Sequence, residues 1–267
     1  MNGLVASDFE LKDNGVVQTL ELVSTEAMPL LAVLVFDSSG SLADERLEAL
    51  KAASRAFLDS LRPQDEVSLL TFAGETEWLV RPTTEKSTVS RALERLQPAG
   101  ATSVLDALYA ALILPQTQAR ALVVLFTDGE DNQSWLDWRQ MQVVAERSNA
   151  LIHVVGLKRP EDGGLAPPTF DVDGRLLPAV GTPSLEWQHT WGLRQIAEAN
   201  GGRYWEAESP ARLKTAFASI TEAMARRYIL SYEPEGVMRS GWHEIELRLR
   251  GHKGEVHARR GYWVSDR

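Results

Sequence analysis

The sequence predicts an α/β protein: a doubly wound, mostly parallel sheet flanked by helices, with an antiparallel β element added by the two chain ends. Three observations predict it. Continuous apolar runs at residues 30–36 and 121–126 suit strands covered on both faces. Between them apolar residues recur at helical spacing. At both ends of the chain the period drops to two, the pattern of antiparallel strands with one wet face.

In chain order, residues 8–23 read as a β-hairpin. Phe9 and Leu11 alternate with polar residues, Asn14-Gly15 supplies the turn, and Leu20 and Leu22 resume the alternation. The run 30–36 ends abruptly in Asp37. A helix follows over 44–61, stopped by Arg62-Pro63. Strands are expected at 67–72 and 77–80, and helices at 86–96 and 103–114. The strand 121–126 precedes a helix at 135–150, and the strand 151–156 precedes a helix at 185–200 that Gly201 and Gly202 close. A short strand at 203–206 and a helix at 210–226 complete the alternation, which is the signature of βαβ units.

Residues 159–184 are rich in Pro and Gly and long for a connection, so they read as an insertion or small hairpin. After Arg226 the pairs Leu230-Tyr232, Ile245-Leu247, Val256-Ala258 and Tyr262-Val264 mark antiparallel strands. A lone hairpin is marginal in water, so these strands are expected to pair with the N-terminal one. The chain divides accordingly into an N-terminal β extension (1–27), an α/β domain (28–226) and C-terminal strands (227–267).

Composition narrows the function. With 267 residues the chain can bury a core without disulfides or a structural metal. It has no cysteine, which removes thiolate ligands and thiol catalysis. Its net charge of −9 argues against nucleic acid or an anionic membrane as partner. No apolar run approaches the ~18 residues of a membrane span, and Met1-Asn2-Gly3-Leu4 lacks the regions of a signal peptide.

The chemistry gathers in three loops: Asp37-Ser38-Ser39-Gly40-Ser41, Gly100-Ala101-Thr102-Ser103 and Thr127-Asp128-Gly129. The first and third follow apolar strands, and the second precedes a helix. Ligands of open α/β sheets bind in the crevice beyond the carboxyl ends of the strands, where these loops are expected to meet. Their donors are carboxylates and hydroxyls. Hard oxygen donors select Mg2+, with Mn2+ or Ca2+ as alternatives, over zinc or copper. An ion held largely by neutral hydroxyls keeps much of its charge and favours a partner's carboxylate.

Asp37-x-Ser39-x-Ser41 with Thr102 and Asp128 resembles the metal-ion-dependent adhesion site (MIDAS) of von Willebrand factor type A (VWA) domains, in order and on the same elements. The resemblance implies a Rossmann-like fold, Ser39, Ser41 and Thr102 as direct ligands, and Asp37 and Asp128 in support. The flanks, Ala6 to Gly15, Arg227 to Tyr232 and Ala258 to Tyr262, resemble VWA-related proteins common in acidobacteria. That narrower resemblance implies export to a periplasmic or extracellular location and a chain truncated at its N-terminus.

Singly, each of these five residues fits a helix cap or a turn as well as a ligand. As a set they point to a metal. Glu130, Asp131 and Asn132 read as a solvated acidic loop, with a second cation site as the alternative. Asp171-Val172-Asp173-Gly174 lacks the rest of a calcium loop and reads as a turn. The five histidines show no ligand spacing, and His153 reads as a satisfied core residue. Arg226-Arg227 and Arg259-Arg260 read as solvated faces. Trp135 and Trp138, just beyond Asp128, and Glu130 are candidate partner contacts, with helix packing the competing role for the tryptophans.

The expected function is non-enzymatic: a bound cation recruits an Asp or Glu of a partner protein. The alternatives are a metal-dependent hydrolase and a scaffold with a purely structural metal. An aspartate-based phosphatase wants a second carboxylate where the chain has Ser39. The Gly-x-Ser-x-Gly elbow and the P-loop are also missing.

Overall fold

The computed structural model describes residues 3–23, 29–40, 45–97, 100–113, 120–128, 131–157, 185–225, 227–252 and 254–265. The chain opens with β1 (Phe9–Asp13) and β2 (Val16–Val17). Between them Asn14 and Gly15 take φ of 46° and 80°, the left-handed pair a two-residue hairpin turn needs. The hairpin is shorter than expected. β3 (Glu21–Val23) leaves β1 and pairs with a strand near the other end of the chain. Gln18 diverts it: its buried side chain donates to the Glu235 carbonyl at 3.0 Å and accepts from the Glu235 N–H at 2.9 Å.

The α/β unit then runs β4 (Leu30–Asp37), α1 (Glu45–Ser60), β5 (Glu66–Phe72), β6 (Thr76–Thr83), α2 (Lys86–Glu94), α3 (Val104–Leu112), β7 (Arg120–Thr127), α4 (Trp138–Arg147), β8 (Leu151–Gly156), α5 (Leu185–Ala199), β9 (Tyr204–Glu206) and α6 (Pro210–Ala225). The six strands lie in the order β6-β5-β4-β7-β8-β9, all parallel except β6. β4 is buried along its whole length, which explains its unbroken apolar run. Alternate residues feed two cores: Leu34, Phe36 and Phe126 face α1, α2 and α6, while Val33, Val35 and Leu125 face α3, α4 and α5. Phe126 stacks on Phe217 of α6 at 4.6 Å and meets the Phe36 ring edge-on at 4.9 Å.

α4 begins three residues later than the periodicity suggests. Asp137 caps it, accepting from the Gln140 N–H at 2.8 Å while the Gln140 side chain takes the Asp137 N–H at 2.9 Å. The residues before Asp137 serve the site instead.

At the C-terminal end, β10 (Ile229–Ser231) is the partner of β3, and β11 (Gly241–Leu249) and β12 (Gly261–Val264) extend the first hairpin. The order β12-β11-β1-β2 joins both chain ends in one antiparallel sheet. Residues 256–258 form no strand, contrary to their alternation. The adjoining segment is committed to α5: Arg259 bridges Asn200, and the Arg260 N–H donates to the Ala199 carbonyl at 2.9 Å. Arg259 is also no solvated residue, since its guanidinium donates to Asn149 Oδ1 and the Gly261 carbonyl, both at 2.6 Å. Residues 158–184, with the expected insertion and Asp171-Val172-Asp173-Gly174, lie outside the described residues. Among those described, no helix is long and apolar enough to cross a membrane.

Candidate functional site

Parallel pairing brings the carboxyl ends of β4, β5, β7 and β8 to one edge, with Asp37 opposite Phe72 and Thr127 opposite Gly156. The loop after β4 is fastened there by Ser38, whose N–H and hydroxyl both donate to the Phe72 carbonyl, at 2.8 and 3.0 Å. Asp37 Oδ1 accepts the Ser39 N–H at 2.9 Å, and Oδ2 accepts the Thr127 hydroxyl at 3.0 Å. The Gly40 N–H reaches the Gly100 carbonyl at 3.4 Å, tying the first loop to the second. Gly100 sits at φ 89°, where a side chain would be strained and a Cβ would press on Ala73 and Gly74 at 3.3 Å.

Asp37, Ser39 and Thr102 are therefore buried at this edge, and Asp128 is half-buried beside them. Ser41 and Glu130 lie outside the described residues. Among the described residues no three His, Cys, Asp or Glu side chains converge. The donors present are two carboxylates and hydroxyls. Such all-oxygen donors fit a hard divalent cation: Ser39 and Thr102 would hold it, with Asp37 and Asp128 supplying charge. Burial, opposed by the hydrogen bonds from Ser39 and Thr127 and reinforced by the Asp128 charge, raises the Asp37 carboxyl from 3.8 to about 6. The Asp128 charge works against ionisation of Asp37, and a cation at that edge would relieve this repulsion.

Several supporting residues escape sequence reading. The Thr102 N–H donates to Asn132 Oδ1 at 3.0 Å, and the Thr102 carbonyl accepts from Asn132 and Gln133 N–H at 3.1 and 3.2 Å. Asp131 accepts the Leu105 N–H at 3.1 Å and the Ser134 N–H at 3.1 Å, capping α3 from a distant loop. Asp106 in turn accepts the N–H groups of Trp135 and Leu136 at 2.9 and 3.1 Å. Behind them the Asp131 N–H donates to His189 Nδ1 of α5 at 3.1 Å. Asp131 and Asn132 thus splice the second loop to the third; Asn132 stays exposed, and the solvated-loop reading is corrected for the half-buried Asp131. An ordinary cap is visible as spacing within a few residues, whereas Asp131 caps a helix that begins 27 positions before it.

Asp131→Ala is expected to cost about 1–2 kcal/mol, the loss of one cap and one loop hydrogen bond. Urea denaturation measures it, and a change below ~0.5 kcal/mol, the range of an uninvolved surface site, would contradict this role.

The tryptophans part company. Trp138 packs on α5, its ring 5.5 Å from the His189 ring and closely over Gly192. Trp135 is 96% exposed on the loop that Asp106 holds. His153 is buried, and burial lowers its pKa to about 4, so it is neutral near pH 7. Its Nδ1 accepts the Arg203 N–H at 3.1 Å, but its Nε2 has no hydrogen-bond partner, so it is only half satisfied.

Comparison with known proteins places this geometry. Residues 32–130 match the sequence model of the von Willebrand factor type A domain. A UPF0353 protein of Mycolicibacterium paratuberculosis is 26% identical over 211 residues, 71% of this chain; the chain spans 59% of that relative's length. The structure of a von Willebrand factor type A protein from Catenulispora acidiphila superposes with a TM-score of 0.59 at 18% identity, over 84% of this chain and 51% of that one. The open conformation of SpaC, a pilus adhesin of Lactobacillus rhamnosus GG, gives 0.55 at 15% identity, over 81% and 34% of the two chains. The loops at the carboxyl edge of β4 and β7 thus lie within the stretch, residues 32–130, that is similar to the von Willebrand factor type A domain.

Proposed function

We propose that the domain is a protein-binding module and not an enzyme. A divalent cation, Mg2+ by the hardness of its donors with Mn2+ or Ca2+ as alternatives, is held by Ser39, Ser41 and Thr102 with Asp37 and Asp128 in support. It recruits an Asp or Glu of a partner protein. The observation that carries this reading is the buried Asp37 carboxyl, raised to about 6 at an edge whose other donors are mostly neutral hydroxyls. Such an ion retains charge for an incoming carboxylate. The pilus adhesin of the same fold supports an adhesive role outside the cytoplasm, since this chain shares its architecture.

Selection of a displayed library of acidic peptides in Mg2+ tests the reading. Bound peptides should be released by a chelator and lost when their single Asp or Glu becomes Asn or Gln. Metal-dependent stability with no carboxylate-dependent peptide would instead assign a scaffold, and metal-dependent ester hydrolysis would assign an enzyme. Trp135 supplies the apolar anchor beside the ion. Trp135→Ala should weaken selected peptides by about 2 kcal/mol, the scale of an interface hot spot, and leave Mg2+ affinity unchanged. Unchanged peptide affinity in that variant would remove Trp135 from the contact surface.

A further inference from the structure

Four polar side chains from four separate segments meet beside the terminal antiparallel sheet. Asp13 ends β1, His243 lies on β11, Tyr262 on β12, and Tyr232 just follows β10. Register sets His243 opposite Tyr262, and their rings stack at 4.7 Å. Asp13 and His243 are buried at 0% and 1% exposure, while the tyrosines are half-buried, so the cluster lies just beneath a surface. Asp13 Oδ2 accepts the hydroxyls of Tyr232 and Tyr262 at 2.8 and 2.7 Å, and its Oδ1 lies 2.8 Å from His243 Nδ1. The two phenol oxygens are 3.3 Å apart, and Tyr262 Oη is 3.2 Å from His243 Nδ1.

These separations match those between neighbouring ligand atoms around a small ion, about 2.8–3.3 Å when each bond is about 2 Å. We propose that Asp13, Tyr232, Tyr262 and His243 form a second metal site, selective for ferric iron. The donors argue for that ion. A carboxylate and two phenolates carry three negative charges, which balance a trivalent cation where an unbalanced charge would be costly. Hard anionic oxygen with a single imidazole suits ferric iron better than the softer zinc or copper.

Both phenols donate hydrogen bonds to Asp13 Oδ2, so they are protonated in the metal-free protein. Mg2+ and Ca2+ polarise a phenol too weakly to displace those protons. Iron(III) binding releases the two phenolic protons to solvent and changes no oxidation state, so affinity increases with pH. The Arg259 guanidinium, 5.6 Å from the Tyr262 ring, favours the Tyr262 phenolate. Occupancy would lock together strands from both ends of the chain.

The test is titration of the metal-stripped full chain with ferric nitrilotriacetate near neutral pH, read by the visible phenolate-to-iron charge-transfer band. The expected band saturates at one equivalent, falls by roughly half in Tyr232→Phe and in Tyr262→Phe as each removes one phenolate, disappears in the double variant, and persists in Asp37→Ala. Circular dichroism and melting confirm that the variants, which keep both rings, are folded. Absence of the band in the wild-type protein overturns the proposal whatever the variants do. A band that survives in the folded double variant also overturns it; the cluster is then a hydrogen-bonded clasp only.

Discussion

Asp37→Asn is expected to stabilise the metal-free protein near pH 7 and to abolish its stabilisation by Mg2+, two effects of opposite sign from one atom exchange. Folding raises the Asp37 carboxyl from 3.8 to about 6, chiefly by burial. Between those values the folded state binds more protons than the unfolded chain. Stability therefore falls as pH rises through the window, and the loss is complete above it. At about 1.4 kcal/mol per pH unit, the cost of the ionised side chain reaches roughly 3 kcal/mol. Asn keeps the shape. It can accept the Ser39 N–H, and the Thr127 hydroxyl can turn from donor to acceptor.

In chelator, urea denaturation should thus show the wild type losing stability between pH 4 and 7 relative to Asp37→Asn. Mg2+ should return the wild type by mass action, about 2.7 kcal/mol at a hundred times its Kd, and leave the variant unmoved. A variant less stable than the wild type in chelator at pH 7 would show that the carboxylate is not the liability its burial implies.

Phe126→Ala should be the most damaging of the apolar truncations considered. The ring is fully buried, stacked on Phe217 and edge-on to Phe36, so its loss leaves a cavity between the sheet and α6. A buried Phe→Ala costs about 3–5 kcal/mol, or roughly 10 °C of melting temperature in a chain of this size. Because Phe126 directly precedes Thr127 and Asp128, Mg2+ affinity should fall with it. Val143→Ala, at an exposed position of α4, is the control and should stay within about 0.5 kcal/mol. A loss below 1 kcal/mol in Phe126→Ala would mean the aromatic stack is not what holds α6 to the sheet.

The elements that positioned the site were legible because their physics is local. β4 and β7 are buried on both faces, so their apolar runs could be read as strands, and Asp37 and Asp128 follow from where those runs stop. The partition of residues 18–23 was not legible. Alternation reads the same whether a strand pairs with β1 or with β10, and the decision rests on Gln18 reaching Glu235 across 217 positions. The late start of α4 could have been read from Asp137 and Gln140, a capping pair that the apolar Trp135 outweighed. Asp131 capping α3, His189 behind it and Asp13 beside His243 have no sequence signature, because their partners are neighbours only in the folded chain.

The measurement that bears most directly on the central claim is calorimetric titration of the metal-stripped protein with Mg2+ and Mn2+, alongside Asp37→Ala. Saturable binding in the wild type, abolished in a variant that melts cooperatively, is the expected result. Binding of equal affinity in both proteins, or none in the wild type, would contradict a cation site at the carboxyl edge of β4 and β7.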